Sequence, residues 1–238
     1  IGLFSLNLFE VEPQVAQLII SLFRFFFTSV VDINLNVESL NSRTLRPCVE
    51  HSELKSTPLI AACETRLIIN ETELDEGDFE IVGTENLRIL QKIIGQQIVD
   101  YSFEGDIYPI FVSYPTLILS RTRSILFDPV SPIQAYLPIG NVNQTELNVD
   151  QNLLILMRKY IENIRYCDFD FTDDDSDITA NLLKDLIGNN RQLTQNDLHF
   201  LMILNKLNCI SHGSDSITKE IWDRSYEIFT STLPYQKT

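Results

Sequence analysis

The stretch from residue 20 to residue 39, ISLFRFFFTSVVDINLNVES, constrains the fold more than any other part of the chain. In its second half, apolar Val31, Ile33, Leu35 and Val37 alternate strictly with polar residues. Period-two alternation of β-branched residues predicts a strand with one buried face. The first half places four Phe residues within five positions. This predicts that the strand begins in a region where both of its faces are covered and continues into one where only one face is covered.

A helix is the competing interpretation for residues 15–27. Apolar residues recur there at helical spacing: Val15, Leu18, Ile19, Leu22 and Phe26. A helix to about Ser21 and a long strand after it fit both signals. Five apolar side chains should then point inward or toward a subunit contact: Phe23, Phe25, Ile33, Leu35 and Val37. The apolar run is interrupted by polar residues and too short to predict a membrane-spanning helix.

The rest of the chain to about residue 171 is typical of β structure. Its short apolar runs are separated by Pro, Asn, Asp and Gly, as in an antiparallel sandwich. Residues 153–166 fit a helix as well as a strand, and both interpretations stay open.

Beyond residue 171 the pattern becomes helical. The run FTDDDSDI, with four Asp within five positions, predicts a hydrophilic hinge. Three amphipathic helices should follow, with Asp177, Thr194 and Ser216 at their starts. Helices this short must pack on each other, on the β domain or on another chain. Trp222 and Phe229 share a face of the third helix and are predicted to contact other subunits, as are Phe23 and Phe25.

Charge and cysteine usage exclude some partners. The formal net charge is −15, and no cluster of Lys and Arg is present, so we expect neither specific nucleic-acid contact nor membrane association. The four Cys, at positions 48, 63, 167 and 209, have no metal-ligand spacing. This pattern favours a reduced intracellular chain over one with two disulfides.

No motif in the chain indicates catalysis. None of the eight Gly falls in a phosphate-binding loop, and His51, His199 and His212 lie in separate segments. The acidic stretches 70–80 and 173–177 lack the ligand spacing of an EF-hand, so solvated loops are favoured over calcium sites. We therefore predict a protein that is not an enzyme, with no catalytic residue, no cofactor and no metal site.

Residues 15–171 resemble a known family. SLFRFFFTSVVDINLNVES resembles the C strand of picorna-like virus capsid proteins, in which an aromatic run enters a long alternating strand. GQQIVDYSFEGDIYPIFVSYP, SILFDPVSPI and DQNLLILMRKYIENIRYCDF are similar to later strands of that family. Thr28 and Ser29 stand where the family often has Trp-Gly. The helical tail resembles that of insect viruses of the Nora virus kind.

The resemblance implies a mainly β fold, an antiparallel eight-stranded jelly roll over residues 1–171 with a helical extension over 172–238 that projects from a shell. It implies a structural coat protein of a small icosahedral positive-strand RNA virus. Its partners would be other capsid subunits and a host-cell receptor. Its location would be the virion, and the host cytoplasm during assembly. Ile1 at the first position would fit release from a polyprotein.

Two alternatives come from other classes of protein. The first is a cellular β-sandwich interaction module that docks a partner through its helical tail. The second is a hydrolase on a β scaffold. A native N-terminus at Ile1 would favour the coat protein, and a Met further upstream would favour the cellular module.

Overall fold

A computed structural model describes residues 5–50, 53–126, 134–138, 150–167, 169, 172–188 and 195–236. The chain divides into two compact units, Ile1–Val149 and Asp150–Thr238. The first unit contains the strands β1 (Ser5–Phe9), β2 (Val30–Asn34), β3 (Cys48–Glu50), β4 (Glu53–Lys55), β5 (Arg66–Asn70), β6 (Ile98–Phe103), β7 (Asp106–Phe111), β8 (Thr116–Leu119) and β9 (Gln134–Pro138). It also contains the helices α1 (Pro13–Phe26), α2 (Val37–Ser42) and α3 (Ile81–Gln96). The second unit contains α4 (Gln151–Arg165), α5 (Asp173–Gly188), α6 (Gln195–His212) and α7 (Lys219–Gln236).

The larger sheet of the first unit is parallel. Its five strands lie in the order β2-β5-β8-β1-β9, and every neighbouring pair runs in the same direction. The central strands β5 and β8 have the sequences RLIIN and TLIL, which are apolar at consecutive positions. Strands of this kind are buried on both faces, as a parallel sheet covered by helices requires.

The two faces of this sheet contribute to two different hydrophobic clusters. Ile68 of β5 belongs to one cluster with Ala16 and Ile20 of α1. Its neighbours Leu67 and Ile69 belong to the other, which includes these side chains of α3: Ile89, Leu90, Ile93 and Ile94. Since side chains alternate along a strand, α1 and α3 cover opposite faces. The first unit is therefore a layered α/β structure.

A smaller sheet is joined to this core through α3. Its four strands lie in the order β4-β3-β6-β7, with β6 and β7 forming an antiparallel hairpin. The ammonium group of Lys92 on α3 donates to both carboxylate oxygens of Asp100 on β6, at 2.6 and 2.7 Å. Val99 of β6 lies in the same cluster as the apolar side chains of α3.

The jelly-roll prediction is wrong. The described residues contain a parallel sheet with helices between its strands, and not a mainly β antiparallel sandwich. The aromatic run belongs to α1, because the helical spacing of its apolar residues continues to Phe26. The strand that follows is short, since Asn36 caps α2 by accepting the backbone N–H of Ser39 at 2.6 Å. Val37, predicted in a strand, opens that helix, whereas Ile33 and Leu35 are buried in the core.

The start of α5 lies where the hydrophilic hinge is predicted. Thr172 caps this helix in place of Asp177, and its hydroxyl accepts the backbone N–H of Asp175 at 3.2 Å. The Asp175 carboxylate in turn accepts the backbone N–H of Thr172 at 3.1 Å, which completes a capping box. The first turn of α5 therefore includes a buried carboxylate, and the DDDSD run is not a solvated loop throughout.

The sequence leaves helix and strand open for residues 153–166, and residues 153–165 form most of α4. The strand that the resemblance implies for this segment is therefore wrong. The last helix begins after Thr218, whose hydroxyl accepts the backbone N–H of Ile221 at 3.3 Å, and not after Ser216. Thr194 lies outside the described residues. None of the described helices contains an apolar stretch of the length that a membrane span requires.

Candidate functional site

The first unit has two candidate functional sites, and the first is the carboxyl edge of the parallel sheet. Ligands of open α/β folds bind at this edge, beside helix N-termini that favour anions. Here β1 leads into α1 through Glu10 and Glu12, and Pro13 occupies the first turn of the helix. Two carboxylates and a residue without a backbone N–H oppose the binding of a phosphate group at this helix start.

Polar side chains along this edge bond to each other. The side-chain amide of Asn70, at the end of β5, donates to Asn34 at the end of β2 at 2.9 Å. The Ser120 hydroxyl, just after β8, donates to the Asn7 side chain of β1 at 3.0 Å. These contacts tie β5 to β2 and the end of β8 to β1, so they serve to hold the edge of the sheet.

Glu71 is the most perturbed group at this edge. It follows β5 directly and is buried, and its carboxylate accepts the Ser124 hydroxyl at 2.7 Å and the Ile125 backbone N–H at 3.3 Å. Burial raises the pKa of Glu71 to about 7, against the smaller opposing effect of these hydrogen bonds. The contacts fix the loop that follows β8. A structural role for Glu71 accounts for all of them.

The pKa of Glu71 predicts how stability changes with pH. The folded state keeps the proton up to about pH 7, while the unfolded chain releases it near 4.5. The contribution of the protonated Glu71 side chain to the free energy of unfolding is therefore complete below pH 4.5. It is lost as the pH rises through 7, by about 3 kcal/mol in total. Urea titrations at pH 5 and pH 7.5 should show most of this loss in the wild type and not in Glu71→Gln. Glu73→Gln, the same change at an exposed position, should behave as the wild type. Parallel pH profiles for the wild type and Glu71→Gln would contradict the assignment.

The second region is an apolar groove of about 350 Å³ on the smaller sheet. One wall is a face of the β6–β7 hairpin, and the other is formed by β4 and by the segment before β5. The residues that line the groove are mostly apolar: Pro47, Leu54, Leu59, Ile60, Ala61, Cys63, Val99, Tyr101, Ile110, Phe111, Val112 and Tyr114. The volume lies within the range of ligand-binding pockets in proteins.

Hydrogen bonds at Tyr114 and Gln97 hold the groove in shape. The Tyr114 hydroxyl accepts the backbone N–H of Ala61 at 3.1 Å and lies 2.9 Å from the carbonyl oxygen of the same residue. The Gln97 side chain accepts the backbone N–H of Tyr114 at 2.6 Å and donates to the carbonyl oxygen of Ile93 at 2.9 Å. Tyr114 and Gln97 are both buried. The two walls are therefore fixed before any partner binds.

Large apolar side chains in and beside the groove are exposed. Phe111 of β7 is 81% exposed, and Leu54 of β4 is 57% exposed. Four more line the groove or share the hairpin face beside it: Ile60, Phe103, Tyr108 and Ile110. Soluble proteins rarely leave large contiguous apolar patches uncovered unless a partner binds there. We refer to the groove and the β6–β7 face together as the docking surface.

The predicted interaction residues lie elsewhere. Phe23 and Phe25 are on α1, where Phe23 packs against Phe27 with ring centroids 5.4 Å apart and Phe25 is partly exposed. Trp222 and Phe229 are buried in the second unit, with Phe229 6.0 Å from the Phe200 ring. Contact of these four residues with another chain stays a prediction.

The other candidate residues do not come together into a site. His199 and His212 are exposed on α6, and His51 lies outside the described residues. None of the four cysteines forms a disulfide among the described residues. In the ranges that the structure describes, no group of three or more His, Cys, Asp and Glu could hold a metal ion.

Sequence reasoning missed the docking surface. The signal for it is DIYPIF in β7, which is apolar on both strand faces and includes a Pro. Such a run usually indicates a buried strand, yet all six residues are exposed here. A strand that looks suited to the core and lies at the surface is a sign of a binding site.

Comparison with known proteins gives a consistent family. The model described as "Mini-chromosome maintenance replisome factor" matches residues 1–231. The chain is 25% identical over 243 residues to the mini-chromosome maintenance complex-binding protein of Drosophila melanogaster, covering 95% of this chain and 39% of that protein. It is 26% identical over 207 residues to the protein of the same name from Rattus norvegicus, covering 82% and 32%. A UPF0616 protein of Schizosaccharomyces pombe is 30% identical over 126 residues, covering 53% and 25%.

These matches overturn the resemblance to picorna-like capsid proteins. The Drosophila and rat relatives are cellular proteins named for binding the mini-chromosome maintenance complex, so the coat-protein function and the virion location are wrong. Capsid subunits and a host receptor are wrong as partners for the same reason. The aromatic run that carried the resemblance is a helix, and its similarity to a capsid strand is superficial. The chain spans between 25% and 39% of the length of these three relatives.

Proposed function

Because the chain belongs to the mini-chromosome maintenance replisome factor family, we propose that it binds the mini-chromosome maintenance complex, the partner named for its relatives. Of the functions considered from the sequence, a cellular interaction module fits this family better than a coat protein. The β sandwich of that alternative is replaced by a layered α/β unit.

The docking surface is the observation that supports this proposal most directly. Tyr108 and Ile110 share one face of the β6–β7 hairpin, Phe111 ends β7 and lines the groove, and all three side chains are exposed. Aromatic and large aliphatic side chains that enter a pocket supply most of the energy of protein interfaces. The groove is held by buried hydrogen bonds of Tyr114, so binding would cost little ordering of the chain.

We further propose that the chain acts by binding and not by catalysis, in the cell and not in a virion. The buried carboxylate of Glu71 is engaged by the loop that follows β8. The start of α1, where an anionic ligand would be expected, carries Glu12 and Pro13. These features favour a scaffold for protein contacts.

Substitution at the docking surface tests the proposal. Phe111→Asp and Ile110→Asp should each weaken binding of the purified complex by at least about tenfold, because a charge then replaces an apolar anchor at the interface. Biolayer interferometry with the complex immobilised would measure the dissociation constant. Both side chains are exposed, so far-UV circular dichroism should show an unchanged fold.

Ile81→Asp is the matched control. Ile81 is 88% exposed at the start of α3 and does not line the groove. This variant should bind as the wild type does. If Phe111→Asp and Ile110→Asp also bind as the wild type does, the docking surface is not the contact site.

A further inference from the structure

The free edge of β7 restricts how a partner can bind. In the part of the chain that the structure describes, β7 is the last strand of its sheet, with β6 on one side only. An edge strand of this kind invites a partner to add a strand through backbone hydrogen bonds. Whether it can do so depends on which backbone groups face outward.

The register of the hairpin shows that Pro109 faces the open edge. The Val112 backbone N–H donates to the carbonyl oxygen of Gln97 at 2.9 Å, which marks a hydrogen-bonded position of the ladder. Hydrogen-bonded and non-hydrogen-bonded residue pairs alternate along two antiparallel strands. Asp100 and Pro109, paired directly, therefore occupy a non-hydrogen-bonded position. The backbone nitrogen of Pro109 is directed away from β6, and it carries no hydrogen.

Pro109 removes the middle donor of this edge. The outward N–H groups of β7 would come from residues 107, 109 and 111, and the central one is absent. A partner strand would leave its own carbonyl oxygen without a bond at that point. Proline at an edge strand is a common protection against strand addition.

The side-chain face of the hairpin remains open. Val99 pairs with Ile110, and Tyr101 pairs with Tyr108, so these side chains share one face, which contributes Val99, Tyr101 and Ile110 to the groove. A helix can insert side chains from one face while its own backbone groups stay bonded within the helix. An irregular loop would bring unbonded backbone groups against apolar walls. An amphipathic helix is therefore the occupant that this surface suits.

The charges at the hairpin tip select among such helices. Glu104 lies in the turn, and Asp106 directly follows it. Asp106 pairs with Phe103, which is two residues from Tyr101, so Asp106 lies on the same groove-side face as Tyr101. Glu53, next to Leu54, is also exposed, and Lys55 is the one cation in β4. The chain as a whole has a formal net charge of −15. Lys or Arg residues beside the apolar stripe of the helix would be attracted to this tip.

We propose that the docking surface takes an amphipathic helix of the complex, with basic residues beside its apolar stripe, and that the β7 edge is not used. This inference rests on the proposed function. It names the structure and the charge of the partner segment, which family membership does not specify.

The first test replaces Pro109 by Val in the full chain. Val restores the outward N–H, so a partner that adds a strand should bind about fivefold more tightly, the effect of one further hydrogen bond. Under the proposal, the dissociation constant for the purified complex stays within twofold of the wild type. Tighter binding by Pro109→Val would overturn the inference.

The second test reverses charge at the tip. The double variant Glu104→Lys and Asp106→Lys should bind the complex at least about fivefold more weakly in 50 mM salt, and the difference should shrink in 500 mM salt. Glu220→Lys with Asp223→Lys makes the same charge change at exposed positions of α7 and should bind as the wild type does. Equal binding by both double variants would overturn the inference.

The two proposals fail in different ways. If Ile110→Asp loses binding while the tip variant binds as the wild type does, the docking surface stands and the basic helix is wrong. If the wild-type chain does not bind the purified complex at all, both proposals are wrong.

Discussion

Leu35→Asp should lower the free energy of unfolding of the first unit by about 4 kcal/mol, one of the two largest effects expected for a single substitution here. Leu35 is 1% exposed and lies in the cluster between the parallel sheet and α3. The substitution removes an apolar side chain from the core and buries a carboxylate without a partner. Urea titration followed by far-UV circular dichroism would measure the change.

Leu54→Asp is the control for this experiment. It makes the same chemical change at a side chain that is 57% exposed, so stability should change by no more than about 0.5 kcal/mol. If Leu35→Asp is as stable as Leu54→Asp, the placement of Leu35 in the core is incorrect.

Asp175→Ala should lower the stability of the second unit by about 3 kcal/mol. The carboxylate joins two helices, because it accepts the backbone N–H of Thr172 before α5 and that of Ile217 before α7, the latter at 2.7 Å. Removing it breaks a capping box and leaves a buried N–H without a bond. Trp222 is the single Trp in the chain and is buried in α7, so its fluorescence reports on this unit.

The pH dependence of this effect has a defined sign. Burial would raise the pKa of Asp175, but hydrogen bonds from Ile217 and Thr172 hold it below its usual value of 3.8. The stabilisation by the ionised Asp175 carboxylate is therefore present above pH 3.8. It is lost as the pH falls through the pKa of Asp175 in the folded state, which is lower. The deficit of Asp175→Ala should be full at pH 7 and should diminish in strong acid. Asp215→Ala, at an exposed position, should have little effect at either pH. If Asp175→Ala lowers the stability by the same amount at pH 7 and in strong acid, this role of the Asp175 carboxylate is contradicted.

Local patterns predicted some elements correctly. The apolar spacing of residues 15–26 is that of α1, and Ile33 and Leu35 are buried as their alternation predicts. The aromatic residues belong to the helix and not to the strand, because the helical spacing of apolar residues includes Phe26. The alternation beyond Leu35 belongs to a capped helix, because the capping side chain of Asn36 falls at a polar position of the apparent strand.

The topology could not be read from the chain. Parallel neighbours such as β1 and β8 are more than 100 residues apart, and no local pattern records which strands pair. The consecutive apolar residues of β5 and β8 indicate strands buried on both faces, which is the local sign of a parallel sheet. The docking surface was missed for a similar reason, since Leu54, Ala61 and Ile110 come together only in the folded unit.

Hydrogen–deuterium exchange of the chain, alone and with the purified mini-chromosome maintenance complex, tests the central claim most directly. If the complex binds the docking surface, backbone amides of residues 53–63 and 98–112 should exchange more slowly in its presence, and those of α6 should not change. Slower exchange confined to the second unit, or no change anywhere under saturating complex, would contradict the claim.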